Sequence, residues 1–156
     1  MRVLALDPGY DRLGVAVLER VNGKETVVFS DCITSDKSKE SYERLFEIGG
    51  AVKDLLAEYT PEACALETLF FSRNKTTALM VSEVRGIIMY LAQESGCEVF
   101  EYNPQSIKVA TTGYGKSDKK AVTDMVHMLA EGVPKDALDD EYDAIAVGIT
   151  HLATHR

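Results

Sequence analysis

The sequence predicts an α/β fold, a mixed five-stranded sheet flanked by helices on both faces. Three observations predict it. Residues 3–6 and 13–18 are apolar runs rich in Val and Leu, parted by a Pro8-Gly9 turn, as in two neighbouring buried strands. From Ser41 the apolar spacing changes to the helical one. Short apolar runs then alternate with helical stretches, the order of crossover-connected parallel strands.

Taken in order, residues 2–7 and 13–20 are the first two strands. Residues 25–33, with their β-branched content, form a third at the sheet edge, and the short links make these three an antiparallel meander. Leu45, Ile48, Val52, Leu55 and Leu56 are the stripe of a first helix that Pro61 limits. Residues 63–66 read as a fourth strand closed by Glu67. A long helix over 76–95 follows, with Gly96 placed to cap it, and then a fifth strand at 98–102. A short helix after Pro104 contains Ile107 and Lys108 and gives way to a loop over 111–115. A helix over 117–131 carries Val122, Met125, Val126 and Leu129 on one face, and a last helix starts near Asp139. Right-handed crossovers set the fourth strand beside the first and parallel to it. Asp7 and Glu67 then stand at the carboxyl ends of neighbouring strands, where open α/β sheets carry their sites.

A length of 156 residues suits one domain with a substantial core. No apolar run approaches the roughly 20 residues of a membrane span, and the opening stretch is too short for a signal peptide. Cys32, Cys64 and Cys97 are odd in number and lack CxxC spacing, so they read as reduced thiols of a cytoplasmic protein without a membrane partner. The net charge of -8 and pI of about 4.9 argue against a broad polyanion surface. Residues 70–120, however, hold seven bases against five acids, while the remainder holds ten against twenty. Any nucleic-acid face is therefore local to the middle third.

The last helix opens Asp139-Asp140-Glu141-Tyr142-Asp143, and Asp140 and Asp143, three apart, share one face. Acids in a first turn offset the helix dipole at roughly 0.3–1 kcal/mol each, which suffices for Asp139, Asp140 and Glu141. Asp143 fits less well, one turn inside and directly before an apolar stretch. Asp7 has an Asx-type turn as its local explanation, and Glu67 a solvated strand end. Each explanation works singly. Together, at positions the fold gathers, these residues make a carboxylate cluster that repels itself unless cations sit within it. Hard oxygen donors select Mg²⁺ or Mn²⁺. Two such ions roughly 4 Å apart activate water and stabilise a leaving phosphodiester oxygen, which predicts a polyanionic substrate.

Thr68-Leu69-Phe70-Phe71-Ser72-Arg73-Asn74-Lys75 follows Glu67 directly. Phe70 and Phe71 beside Arg73 and Lys75 suit base stacking next to phosphate contacts; a helix-entry loop with one buried Phe is the plainer account. Lys116, Lys119 and Lys120 gather at a predicted helix N-terminus, where anions are favoured, and a phosphate there would relieve the conflict. Tyr114, between two glycines, adds a stacking ring; solubility is the alternative reading of the lysines. His127, His151 and His155 read as satisfied core or surface imidazoles.

In LALDPG, ALETLFFSRN, FEYNPQSIK, GYGKSDKK and DDEYDAIAVGITH, in that order, the chain resembles the RuvC-type Holliday junction resolvases over nearly its whole length. The resemblance implies a ribonuclease H-like fold and a homodimer that cuts two opposed strands of four-way junction DNA by Mg²⁺-dependent hydrolysis, leaving ligatable ends. It implies that Asp7, Glu67, Asp140 and Asp143 are the metal ligands, that Phe70 enters the junction, and that Lys108 and Lys119 serve DNA binding and activity. It leaves Asp139 as a helix cap, puts the dimer interface on the long helix after Phe70, and suggests a branch-migration motor as a further partner. DRLGVAVLE is also similar to YqgF-type nucleases of that fold, associated with ribosomal RNA processing. Cleavage of structured RNA and non-cleaving junction binding therefore stand beside junction cleavage. An actin-like ATPase would need two lobes, more than 156 residues accommodate.

Overall fold

A computed structural model of the protein describes residues 1–69 and 75–155. Along the chain run β1 (Arg2–Asp7), β2 (Arg12–Val21), β3 (Lys24–Thr34), α1 (Ser41–Tyr59), β4 (Ala63–Glu67) and α2 (Lys75–Glu94). Then come β5 (Glu98–Tyr102), α3 (Pro104–Thr112), α4 (Lys119–Leu129), β6 (Ala130–Glu131) and α5 (Asp139–Thr154). The strands form one mixed sheet in the order β5-β4-β1-β2-β3-β6, with β1 parallel to β4 and antiparallel to β2.

Alternation along β1 explains the layers. Val3 and Ala5 point into a core shared with α3, α4 and α5, while Leu4 and Leu6 point into one shared with α1 and α2. A strand buried on both faces needs apolar residues at every position, and residues 3–6 supply them.

Helix α5 lies along β2, and two glycines set that contact. A Cβ on Gly14 would stand 1.8 Å from the Asp140 carbonyl oxygen, and one on Gly148 would stand 2.4 Å from Leu18 Cδ1. Eight helical residues rise about 12 Å, and four strand residues about 13 Å. The two intervals match, so helix and strand touch at both ends of the same span.

The turn after Asp7 is fastened from α1. Buried Arg44 stacks its guanidinium 3.9 Å from the Tyr10 ring centroid and donates to Asp11 Oδ1 at 2.6 Å and Ser35 Oγ at 2.7 Å. A capping box between Glu40 and Glu43 starts that helix.

The expected mixed sheet with helices on both faces is present, but it has six strands rather than five. The helix expected over 117–131 ends at Leu129, where Ala130 turns extended and pairs with Glu25 of β3. Gly132, at φ 77°, turns the chain away afterwards. The apolar period runs unbroken to Leu129, so it gave no warning of the change. β3 therefore has a short partner on its outer side. Thr111 and Thr112, expected in a loop, close α3: their hydroxyls donate to the carbonyls of Ile107 and Lys108 at 2.8 Å.

Candidate active site

Asp7 and Glu67 are the last residues of two adjacent parallel strands, one position beyond the Leu6–Leu66 pair. Across the sheet Asp7 faces Gly14, and the Asp140 carbonyl lies over that glycine. A side chain at position 14 would hold α5 off the sheet. Its absence delivers Asp140 and Asp143, in the first two turns of α5, to the end of β1. All four sequence-predicted carboxylates thus gather at the carboxyl end of the interior strands β1 and β4, where Glu67, Asp143 and Asp140 all act on Asp7.

Their electrostatics show what this proximity costs. Burial pushes Asp7 up to about 8, helped by the negative charges of Glu67 and Asp143, a hydrogen bond with Glu67, and the charge of Asp140. Glu67 is raised mainly by burial, against the opposing hydrogen bond with Asp7 and the charges of Lys119 and Arg85. Asp143 is raised by burial, while Lys119 opposes the shift. Near neutral pH a proton is held between Asp7 and Glu67.

Two cations neutralise the helix side of the cluster. Lys119 Nζ lies 3.0 Å from Asp143 Oδ2, and Arg12 Nε lies 3.5 Å from Asp140 Oδ2. As these side chains stand, no three His, Cys, Asp or Glu among the described residues converge on a point that would hold an ion. The donor chemistry nevertheless suits a hard cation. The set is all carboxylate, it retains a proton for want of positive charge, and an ammonium already sits against Asp143.

Clefts open on both sides of Glu67. One, of about 260 Å³, is lined by Asp7, Glu67, Thr77 and Arg85. The other, of about 150 Å³, is lined by Glu67, Lys108, Lys119 and Asp143. Lys108 and Lys119 therefore share a wall, although they come from α3 and α4.

Other expected contacts distribute differently. Of Lys116, Lys119 and Lys120, the last two pair with acids of the chain itself. Asp118 caps α4 by accepting from Ala121 N at 2.8 Å, Lys119 turns to Asp143, and Lys120 pairs with Asp124 at 2.6 Å. The helix start is thus satisfied by the chain's own acids. Lys75, Tyr114 and Lys116 are exposed. Phe70, Phe71 and Arg73 lie outside the described residues. Asp139 is not a cap: Leu138 holds the N-cap position, without a capping side-chain bond. His151 is fully buried, pairs with Tyr102 Oη at 2.9 Å and is pushed down to about 4 by burial and by His155. Its Nε2 has no hydrogen-bond partner among the described residues, so it is not the satisfied core imidazole expected.

Residues 3–151 match the family model described as crossover junction endodeoxyribonuclease RuvC. The chain belongs to the RuvC family of crossover junction endodeoxyribonucleases. It is 42% identical to the RuvC of Thermosipho melanesiensis over 149 residues, 94% of each chain. It is 39% identical to that of Caldanaerobacter subterraneus, over 97% of this chain and 92% of the relative. Among solved structures, T. thermophilus RuvC in complex with Holliday junction substrate superposes with a TM-score of 0.93 at 29% identity, covering 100% of this chain and 95% of that one. The similarity to RuvC proteins thus spans both the strand-end and the helix carboxylates.

Sequence reasoning missed Arg12, Arg85 and Gly14 in this RuvC-family site. For Arg85 there was a signal. It falls on the apolar stripe Val81, Val84, Ile88 and Ala92 of α2, where a cation has no place unless something buried pairs with it. Arg12 and Gly14 gave none, since only the docking of α5 reveals what they meet.

Proposed function

We propose that this protein resolves four-way DNA junctions by hydrolysing one phosphodiester in each of two opposed strands, working as a homodimer. The observation that carries this is the gathering of Asp7, Glu67, Asp140 and Asp143 from three separate elements at the carboxyl end of β1 and β4, in a chain of the RuvC family. These four carboxylates would hold Mg²⁺, or Mn²⁺ in its place, as two ions. Bound there, the ions would supply activation of water and charge stabilisation of the leaving oxygen.

The protein's own groups do the rest. Asp7 and Glu67, fixed at strand ends, would hold the ions as carboxylates, their shared proton being released to solvent. Lys119 exchanges Asp143 for a phosphate oxygen, and Lys108 lines the same wall. Phe70 and Phe71 stack on bases at the junction, with Arg73 and Lys75 on neighbouring phosphates. Tyr114, Lys116 and Lys120 extend the DNA face along the start of α4. We read residues 1–156 as a single nuclease domain acting in the cytoplasm beside a branch-migration motor. Among the described residues no helix is long and apolar enough to cross a membrane.

The test offers the purified protein a mobile four-way junction, a linear duplex and a hairpin RNA with Mg²⁺. Paired symmetrical nicks in the junction alone are expected, and Asp7→Asn abolishes them while junction binding persists. Preferential RNA cleavage, or equal cutting of linear duplex, would sink the reading in favour of an RNA-processing or unselective nuclease.

A further inference from the structure

Arg85 is a buried cation on α2 whose bonds go to β4, which carries Glu67, and to its neighbour β5. One guanidinium nitrogen donates to the main-chain carbonyl of Glu67, and another to Glu101 Oε1 on β5. Glu67 and Tyr102 are register partners at the ends of β4 and β5, and Thr68 N donates to the Tyr102 carbonyl at 2.8 Å. The guanidinium therefore joins the two strand ends just where β4 stops and Glu67 begins its side chain.

Fold alone does not ask for a cation here. The positions around Arg85 on its helix face, Val81, Val84, Ile88 and Ala92, are apolar and pack in the α1–α2 core. Taking an ion out of water is costly, and apolar replacements of such ions are often neutral or stabilising. Glu101 is half-exposed and water serves it when the partner is gone. What Arg85 alone supplies is a charge that cannot be lost by deprotonation, set in the wall of the cleft that Asp7 and Glu67 line. Its two hydrogen bonds go to a main-chain carbonyl and to Glu101, so it holds the end of β4 without hydrogen-bonding the Glu67 carboxylate itself.

We infer that Arg85 is a positioning residue for Glu67, clamping the end of β4 to β5 so that the carboxylate is presented to a divalent ion. The inference rests on the reading of Glu67 as a metal ligand given above. Groups that orient metal ligands from behind cost about 10–100-fold in metal affinity when removed.

The test measures Mn²⁺ binding to the full chain by electron paramagnetic resonance of the free ion, at pH 8, for the parent, Glu67→Gln, Arg85→Met and Arg85→Lys. Glu67→Gln weakens binding, Arg85→Met weakens it about tenfold or more, and Arg85→Lys falls between the parent and Arg85→Met. In EDTA, junction affinity of Arg85→Met stays within about twofold of the parent, since a residue acting through Glu67 leaves phosphate contacts alone. Glu67→Gln with unchanged Mn²⁺ affinity removes the metal-centre reading, and the inference falls with it. Weakened Glu67→Gln beside Arg85→Met at parental affinity overturns the Arg85 role only. Lost junction affinity in EDTA also overturns it, by placing Arg85 on the DNA. Should Arg85→Met not fold, Arg85→Lys at parental affinity decides against the inference.

Discussion

Replacing Asp7 by Asn in the metal-free protein removes a group that the fold keeps protonated. Asp7 titrates at about 8 in the folded chain against 3.8 for an ordinary Asp. Its folded value is the higher, so the associated stability is complete below about pH 4 and drains away as the pH climbs through 8. Each unit between those limits is worth about 1.4 kcal/mol. Between pH 5 and pH 8 the parent therefore loses up to about 4 kcal/mol that Asp7→Asn keeps, an upper limit because Glu67 shares the proton. Asn is the right substitute: it is neutral at every pH, and its amide donates to Glu67 as the protonated acid does. Urea unfolding in EDTA at both pH values, followed by far-UV circular dichroism, reads the difference. The mutant should gain on the parent by several kcal/mol from pH 5 to pH 8, since the titrating groups outside the carboxylate cluster cancel in the comparison. Adding Mn²⁺ at pH 8 should then stabilise the parent and leave Asp7→Asn nearly unmoved. A mutant-minus-parent difference that is equal at pH 5 and pH 8 refutes the reasoning, because Asp7 would then carry no proton in the cluster.

Gly14→Ala should cost about 1–3 kcal/mol or more in the same unfolding assay, because its methyl meets the Asp140 carbonyl and helix α5 must lift. Cleavage should fall about 10²-fold with the displaced carboxylates, and stability within about 0.5 kcal/mol of the parent would show that the helix has room. Phe70→Ala should impair junction cleavage while leaving the unfolding midpoint in place; a loss of about 3–5 kcal/mol with normal cleavage would return Phe70 to a buried role.

Five of the six strands and all five helices were legible because their periodicities are clean, as in the unbroken residues 3–6 of β1 and the stripe from Leu45 to Leu56 of α1. Asp7, Glu67 and Asp143 were legible for a related reason: each ends or abuts an apolar run and so stands out, whereas Asp140, between Asp139 and Glu141, was marked only by its three-residue spacing from Asp143 and by the family resemblance. β6 was hidden because Ala130 and Glu131 continue the α4 pattern, and only pairing with β3 draws them out of the helix. A charge count over the start of α4 did not reveal that Lys119 and Lys120 pair with Asp143 and Asp124, or that Asp118 caps the helix itself. Arg12 meets its acceptor across 128 residues, a distance over which a linear reading has no purchase.

The two glycine contacts between α5 and β2 have a bearing on how this chain can vary. They work like marks on a pair of rulers with equal divisions. One residue added between Asp140 and Gly148 would turn the helix by about 100° and lengthen it by about 1.5 Å, so one mark or the other must slip. If Gly148 stays over Leu18, the carboxylates swing off the end of β1; if they stay, a side chain is driven into Leu18 and Ala5. The stretch joining β6 to α5 is free of that constraint and is where added length can be absorbed. The length of one helix segment is thereby tied to the chemistry at its tip.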